Sequence, residues 1–248
     1  MSDEVQTPRY VIGVDVGTGS ARAGVFDLGG RMLASAKRDI TLYREAGSIV
    51  EQSSNEIWRA VRDAVRQSVQ DAGVSPETVV GLGFDATCSL VVLGDQGKPL
   101  PVGPSEDPER NIIVWMDHRA VSQAERINAL GHEVLRYVGG RISPEMETPK
   151  LLCLKENRPD VFDAAWQFLD LADYLTWRAT GDLSPACVPS SPGLTIPVTL
   201  ALTIRAGCLI GLGSGLLITK ARITTFIATL GVSSILAAMI TWVVRMPE

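Results

Sequence analysis

The sequence predicts a mixed α/β fold for residues 1–184, followed by an apolar segment of different character. Short β-branched runs separated by glycine turns open the chain, and apolar residues at helical spacing follow them. Charge is also unevenly distributed: residues 1–184 hold 27 acidic and 19 basic side chains, whereas residues 185–248 hold one acidic and four basic ones. The 248 residues are 46% apolar with a net charge of −5, which suffices for a sizeable core and argues against wholesale disorder.

Three strands are predicted at the start of the chain. They are Tyr10–Val16, Ala21–Phe26 and Arg31–Ile40, separated by turns at Gly17–Ser20 and Asp27–Gly30. Short strands joined by glycine-containing turns are typical of an antiparallel meander.

A long helix and further alternating elements are predicted next. Apolar residues recur at helical spacing over Asn55–Ala72, with Ser53 or Ser54 as the N-cap and Gly73 at the end. The remaining predicted elements are the strands Val79–Phe84, Leu90–Leu93 and Ile112–Trp115, and the helices Arg119–Leu130, Pro149–Glu156 and Ala172–Ala179.

Composition narrows the function classes. A pI near 5.2 argues against a basic nucleic-acid-binding surface. The four cysteines form no CxxC pair and there are only two histidines, which argues against a disulfide scaffold or a zinc centre. The polar N-terminus MSDEVQTPRY has no apolar signal region, so residues 1–184 are expected to be cytoplasmic.

A glycine-rich turn follows the first predicted strand, in the pattern Asp15-x-Gly17-Thr18-Gly19-Ser20. Such a turn can present backbone N–H groups and hydroxyls to an anion, and Asp15 could hold a divalent metal through water. An ordinary glycine hairpin is the alternative interpretation.

Polar and aromatic residues at strand ends suggest a second site. A polar turn begins at Asp85, and Trp115, Asp117 and Arg119 lie at a strand-to-helix junction. An aromatic platform with charged hydrogen-bond partners is suited to a sugar or polyol. The alternatives are a helix N-cap for Asp117 and a solvated side chain for Lys150.

These motifs together resemble the N-terminal half of an FGGY-family carbohydrate kinase, in the branch that phosphorylates D-ribulose and related pentuloses. The resemblance covers residues from about 10 to 184. It rests on the segments YVIGVDVGTGSARAGVFD, EQSSNEIW, GLGFDATCSLVVLG, WMDHRAVSQAERIN, YVGGRISPEMETPKLLCLKEN and FLDLADYLTWRATG.

The resemblance implies an actin-like, ribonuclease-H-like fold, with ATP and a pentulose bound in a cleft between two domains. The residues it implies for the ATP phosphates and Mg²⁺ are Asp15, Gly17, Thr18, Gly19 and Ser20, with Asp15 as the metal residue. The residues it implies for the pentulose site are Asp85, Ala86, Trp115, Asp117, Arg119 and Lys150.

The resemblance also implies what this sequence lacks. The family's catalytic aspartate and nucleotide-binding second domain lie beyond the resembling region, so no catalytic residue is assigned and the ATP site is expected to be incomplete. The chain alone is therefore expected to turn over little or not at all.

The last quarter of the sequence is predicted to differ in kind. Residues 185–197 are a proline-rich linker, and residues 198–248 contain the apolar stretches Val198–Thr219 and Ile223–Val244. Residues 198–240 resemble a fragment of a ribose-type sugar-transporter permease; a generic apolar helix pair is the alternative. Residues 198–244 could associate with a membrane, although Arg205 opposes insertion of the first stretch.

Three functional hypotheses follow from the sequence. The first is a pentulose kinase that lacks its second half, and the second is a membrane-tethered sugar-binding module without turnover. The third is a fusion of kinase and permease fragments with no function of its own. No oligomeric state is predicted.

Overall fold

The structure is a computed structural model that describes residues 8–45 and 47–183. The chain divides into two units after Pro185, and the described residues all belong to the first of them. The predicted linker, both apolar stretches and the permease-like segment lie outside the described residues. Among the helices of residues 8–45 and 47–183, none combines the length and apolar character needed to cross a bilayer.

Two β-sheets with helices packed on them confirm the mixed α/β fold. The first sheet has the strands β1 (Tyr10–Val16), β2 (Ser20–Asp27), β3 (Met32–Asp39) and β6 (Val79–Ala86), in the order β3-β2-β1-β6. Strands β1, β2 and β3 form the predicted antiparallel meander, and β6 adds to β1 in parallel.

Helix α1 (Ser54–Ala72) covers one face of the first sheet. Ser53 is its N-cap and accepts a hydrogen bond from the backbone N–H of Glu56 at 3.2 Å. Gly73 ends it with a φ of 63°, a left-handed conformation that glycine adopts without steric cost. Helix α1 buries Ile57, Val61 and Ala64 against this face, and a cavity opens over the opposite face of the sheet.

A second sheet, entirely antiparallel, extends the core. Its strands are β4 (Tyr43–Arg44), β5 (Val50–Gln52), β7 (Leu90–Leu93), β8 (Ile112–Ile113) and β9 (Gln167–Asp170), in the order β4-β5-β8-β7-β9. Strand β7 is buried along its whole length, as expected for a central strand with helices against it.

Four shorter helices follow in the chain. They are α2 (Val121–Ala129), α3 (Glu147–Asn157), α4 (Pro159–Ala164) and α5 (Leu171–Thr180). The predicted helix over Arg119–Leu130 begins two residues later than expected, because Arg119 is held outside it by its own ion pairs. The strand predicted over Ile112–Trp115 is shorter, since Trp115 turns away toward the first sheet.

Candidate active site

The glycine-rich turn is a β-hairpin connection. It joins β1 to β2, and the backbone N–H of Gly17 donates to the carbonyl of Ser20 at 3.0 Å. The hairpin interpretation is therefore confirmed as local structure. The carbonyl of Gly19 accepts from the N–H of Ile40 at 3.0 Å, so the turn is also tied to the end of β3.

Two side chains hold this turn in place, one from strand β5 and one from the segment that follows β8. The indole Nε1 of Trp115 donates to Thr18 Oγ1 at 3.0 Å. The amide Nε2 of Gln52 donates to the Thr18 carbonyl at 2.8 Å, and Gln52 is almost fully buried. The Trp115 backbone N–H donates to Ser89 Oγ at 3.1 Å, which fixes the base of the indole as well. Thr18 is thus connected to both sheets.

Two carboxylates lie next to each other on the open face of the first sheet. Asp15 of β1 and Asp85 of β6 are paired in the parallel register, so their strands are about 4.8 Å apart. Asp85 and Ala86 end β6 rather than beginning a turn as predicted. Arg22, on the neighbouring strand β2, forms an ion pair with Asp15 at 2.8 Å. Both side chains are more than half exposed, so this ion pair contributes little to stability.

This pair of carboxylates suits Mg²⁺ together with phosphate. Mg²⁺ in proteins commonly uses one or two carboxylates, several waters and the oxygens of a phosphate substrate. Asp15 and Asp85 can supply the two carboxylates. Within the part of the chain that the structure describes, no cluster of three or more His, Cys, Asp or Glu residues could hold a metal by itself.

Three glycines form a row across the first sheet, on its open face. Gly24, Gly13 and Gly83 are register partners across β2, β1 and β6. A cavity of about 730 Å³ opens over them and extends to Asp15 and Asp85. The ring of Phe26 lies over Gly24 and Gly13, whereas nothing lies over Gly83, so a ligand can approach the sheet backbone closely at Gly83.

Asp117 and Arg119 are part of a buried ion-pair network. Asp117, fully buried, accepts from the backbone N–H of Val50 at 2.7 Å and from that of Arg119 at 2.8 Å. The Arg119 guanidinium binds the same carboxylate at 2.8–3.0 Å, and its Nη2 also binds Glu51 at 2.8 Å. Glu51 is fully buried and accepts from Arg110 Nε at 2.9 Å.

The network keeps Arg119 charged. Burial acts against the charge, but the hydrogen bonds and attraction from Asp117 and Glu51 outweigh it, so the pKa of Arg119 is raised. Asp117 is not the N-cap of α2, whose cap position is Ala120, so the N-cap alternative is wrong. Each Asp117 oxygen already has protein partners. The geometry therefore supports a structural role, and its predicted contact with a sugar stays a prediction.

Lys150 is fully buried on α3, so the solvated-lysine alternative is wrong. Its Nζ has no hydrogen-bond partner among the described residues, and neither carboxylate oxygen of Glu147 has one. Burial lowers the pKa of Lys150 and raises the pKa of Glu147 to about 7, each against the attraction of the other. Asp170 raises the Glu147 pKa further.

The structure thus sorts the predicted site residues into two groups. Asp15, the Gly17–Ser20 turn and Trp115 are joined through β1 and Thr18, with Asp85 and Ala86 in register beside β1. Lys150 interacts electrostatically with Asp117 and Arg119. No described hydrogen bond links these two groups directly.

Three residues at this site were not singled out from the sequence. They are Glu51, Gln52 and Glu147, and all three lie within segments that carry the resemblance, EQSSNEIW and YVGGRISPEMETPKLLCLKEN. Their position in a resembling segment was the available signal. The roles of Glu51 and Gln52 depend on contacts with residues distant in the sequence, Glu51 with Arg119 and Gln52 with Thr18, which are 68 and 34 positions away.

Comparison with known proteins gives a consistent assignment. The profile of the FGGY family of carbohydrate kinases, N-terminal domain, matches residues 10–188. The chain is 51% identical over 183 residues to an FGGY carbohydrate kinase domain-containing protein of Homo sapiens, covering 73% of this chain and 33% of that protein. It is 49% identical over 175 residues to a D-ribulokinase of Saccharomyces cerevisiae, covering 70% and 24%.

The fold is similar to that of solved sugar kinases. A ligand-bound xylulose kinase from Lactobacillus acidophilus matches with a TM-score of 0.59 at 24% identity, covering 71% of this chain and 34% of that one. The match therefore spans about a quarter to a third of the length of these proteins. The permease resemblance of residues 198–240 has no support from these comparisons.

Proposed function

The chain belongs to the FGGY family of carbohydrate kinases, and we propose that it carries the sugar- and phosphate-contacting half of a pentulose kinase. The reaction would transfer the γ-phosphoryl group of ATP to a hydroxyl of a D-ribulose-like pentulose. The choice of a pentulose is supported by the relative named a D-ribulokinase, which is 49% identical over the matched region.

The observation that carries this proposal is the hydrogen bond between Trp115 and Thr18. It connects a residue expected to face the sugar with the turn expected to contact the phosphates, at 3.0 Å. Phosphoryl transfer depends mostly on positioning the acceptor hydroxyl against the phosphate. A direct contact between the two expected sites supports a common location for the acceptor hydroxyl and the phosphate, which this reaction requires.

The phosphate side needs a cation. Asp15 and Asp85 would repel a polyphosphate, and the exposed Arg22 offsets one of these charges only. Mg²⁺ bound with ATP would supply the missing positive charge and neutralise the phosphate oxygens. In this proposal Asp15 orients the metal-bound nucleotide together with Asp85, which the family resemblance had assigned to the pentulose instead, while Thr18 and the turn contact its phosphates.

The sugar side combines an aromatic surface with polar groups. Trp115 is half-buried, which leaves part of its ring available to pack against the apolar face of a sugar. The buried and unpartnered Lys150 ammonium can donate to a sugar oxygen. Ligand oxygens at Lys150 would replace the hydration that burial has removed.

Binding and turnover are expected to separate in this chain. No described residue is assigned as the base that accepts the hydroxyl proton, and the matched region covers only 33% of the human relative. We expect the 248-residue chain to bind a pentulose without releasing ADP at a measurable rate. ADP release that depends on both ATP and D-ribulose would show that this chain is sufficient for catalysis.

Calorimetric titration of the full chain with D-ribulose tests the proposal. We expect saturable binding, and Lys150→Met should weaken it at least about tenfold, because the removed donor is charge-assisted. The matched control is Lys155→Met, on the exposed side of the same helix near Phe162, which should bind like the wild type. Absence of saturable binding in the wild type, or equal binding by Lys150→Met, would contradict the proposal.

A further inference from the structure

Buried polar atoms without partners are concentrated in the first turn of α3. The described residues contain five buried side-chain polar atoms without a hydrogen-bond partner, and three of them belong to Glu147 and Lys150. Buried polar groups are nearly always hydrogen-bonded, because an unsatisfied one loses its hydration without compensation. The concentration of three such atoms in one helical turn marks a place where a polar group from outside the protein belongs.

The two side chains are on the same side of the helix but do not bind each other. Residues three apart in a helix are neighbours on its surface, and Glu147 and Lys150 attract each other electrostatically. They form no ion pair, which would require a nitrogen and an oxygen within 4.0 Å. A hydrogen-bonding group placed between them could satisfy both.

The chemistry of the surroundings defines that group. The ammonium of Lys150 can only donate, and an ionised Glu147 can only accept. A hydroxyl group does both: its oxygen accepts from Lys150 while its hydrogen is donated to Glu147. A neutral polyhydroxy compound is therefore the ligand class that fits.

Charged ligands fit less well. Asp117 and Glu145 also act on Lys150, and Asp170 acts on Glu147, so an anion would meet four carboxylates against two cations, Lys150 and Arg119. A cation would be repelled by Lys150 and by the nearby Arg119. The surroundings thus favour the sugar before phosphorylation over the phosphorylated product.

We propose that Glu147 is a further sugar-binding residue, which accepts a hydrogen bond from the hydroxyl whose oxygen accepts from Lys150. The proposal rests on the proposed function and deepens it, because it adds a residue that selects a neutral hydroxyl at the sugar site. Glu147 was not predicted from the sequence to contact a ligand.

Titration of D-ribulose into the full-length Glu147→Gln chain tests the proposal. The amide keeps the size of the side chain but lacks the charge that strengthens the accepted bond, so we expect affinity at pH 8 to fall by about tenfold. Glu145→Gln is the matched control: it removes a charge that also acts on Lys150, but its side chain is paired with His118 at 3.2 Å. The control should bind D-ribulose as the wild type does.

The pH profile separates a ligand contact from a structural role. Glu147 has a pKa of about 7, so wild-type affinity for D-ribulose should rise as pH increases from 6 to 8 and the acceptor becomes charged. The Glu147→Gln chain should show no such rise. Lys150 and Asp170 face Glu147, and Asp117, Arg119 and Glu145 act on Lys150; these groups are unchanged in the variant. Equal affinities and equal pH profiles would overturn the proposal, with a bound water as the partner of Glu147.

A measurement without ligand distinguishes failure of this proposal from failure of the proposed function. If Glu147 lacks an internal partner, Glu147→Gln should raise the thermal unfolding midpoint of the ligand-free chain at pH 8, because it removes a desolvated charge. A lowered midpoint would show that Glu147 has a stabilising partner inside the protein and would overturn the proposal. Absence of D-ribulose binding by the wild type, by contrast, contradicts the proposed function.

Discussion

Replacing Asp117 with asparagine separates its structural role from the ligand-binding role predicted from the sequence. Both carboxylate oxygens are occupied: one accepts the backbone N–H of Val50 at 2.7 Å, the other accepts the backbone N–H of Arg119 at 2.8 Å, and the guanidinium of Arg119 reaches both. Asparagine keeps one acceptor and turns the other into an N–H₂ group. That group would face N–H donors in a fully buried place.

The expected destabilisation is large. Breaking a buried ion pair by removing one partner typically costs about 3–5 kcal/mol, because the remaining charge stays buried. Glu51 still holds one nitrogen of Arg119, which favours the lower end of that range. For a chain of this size, about 3 kcal/mol corresponds to a fall of roughly 6–12 °C in the unfolding midpoint. The total stability of a domain is about 5–15 kcal/mol, so much of it would be lost.

Urea unfolding followed by circular dichroism measures this loss, and calorimetry gives the affinity for D-ribulose at a temperature where the variant is folded. We expect Asp117→Asn to lose stability while the folded fraction keeps D-ribulose affinity within about threefold. Asp63→Asn, on the exposed face of α1, is the control and should change neither quantity. A stability change below about 1 kcal/mol together with a large loss of affinity would refute the structural assignment and make Asp117 a sugar ligand.

Three further predictions concern the same unit. Gly103→Ala should destabilise the protein, because the added Cβ would overlap the buried carboxylate of Glu51; thermal unfolding measures this, and an unchanged midpoint would contradict it. Gln52→Ala removes the donor to the Thr18 carbonyl, so Mg²⁺-tripolyphosphate should bind roughly two- to tenfold more weakly in a calorimetric titration, and equal binding would contradict the tether. Burial raises the pKa of Glu147 from 4.5 to about 7, so the folded state binds this proton more tightly than the unfolded state does. The contribution of Glu147 to the free energy of unfolding should therefore fall as pH rises from 4.5 to 7 and then level off. Urea unfolding at several pH values should show a shallower fall for Glu147→Gln, and parallel curves would refute the shifted pKa.

Elements with a strong local pattern were predicted correctly from the sequence. The meander β1-β2-β3 follows from β-branched runs and glycine turns, and α1 follows from apolar spacing between Ser53 and Gly73. Both signals are contained within the element itself, so they do not depend on the rest of the fold. The family resemblance is confirmed by the profile match over residues 10–188.

Only part of the second sheet could be predicted in the same way. Strand β7 was predicted with its observed bounds and β8 within a longer run, but β4 and β5 are two and three residues long, too short for an alternating pattern, and β9 was not predicted at all. Strand β5 exists because Glu51 and Gln52 pair with Ile113 and Ile112, about 60 positions further along the chain. Pairing between distant segments leaves no periodic signal in either one.

The roles of single site residues were the hardest to predict. From the sequence, Asp117 could be a sugar ligand or a helix cap, because nothing local reveals its bonds with Val50. From its local sequence alone, Lys150 was interpreted as a solvated lysine, since only the fold shows that its ammonium is buried. The glycine-rich motif around Asp15 and Thr18 was recognised as a candidate phosphate site from the sequence. The role of Gln52, which holds that turn, is shown only by its hydrogen bond to Thr18 in the fold.

Fluorine NMR of the chain labelled with 5-fluorotryptophan tests the central claim most directly, namely that the sugar and phosphate contacts of this chain form one site. Trp115 is bonded to Thr18 at 3.0 Å, so its resonance, assigned by loss in Trp115→Phe, reports on both sides of the site. We predict that this resonance shifts saturably with D-ribulose and also with Mg²⁺-tripolyphosphate. A Trp115 resonance that responds to only one of these ligands, or to neither, would contradict the account.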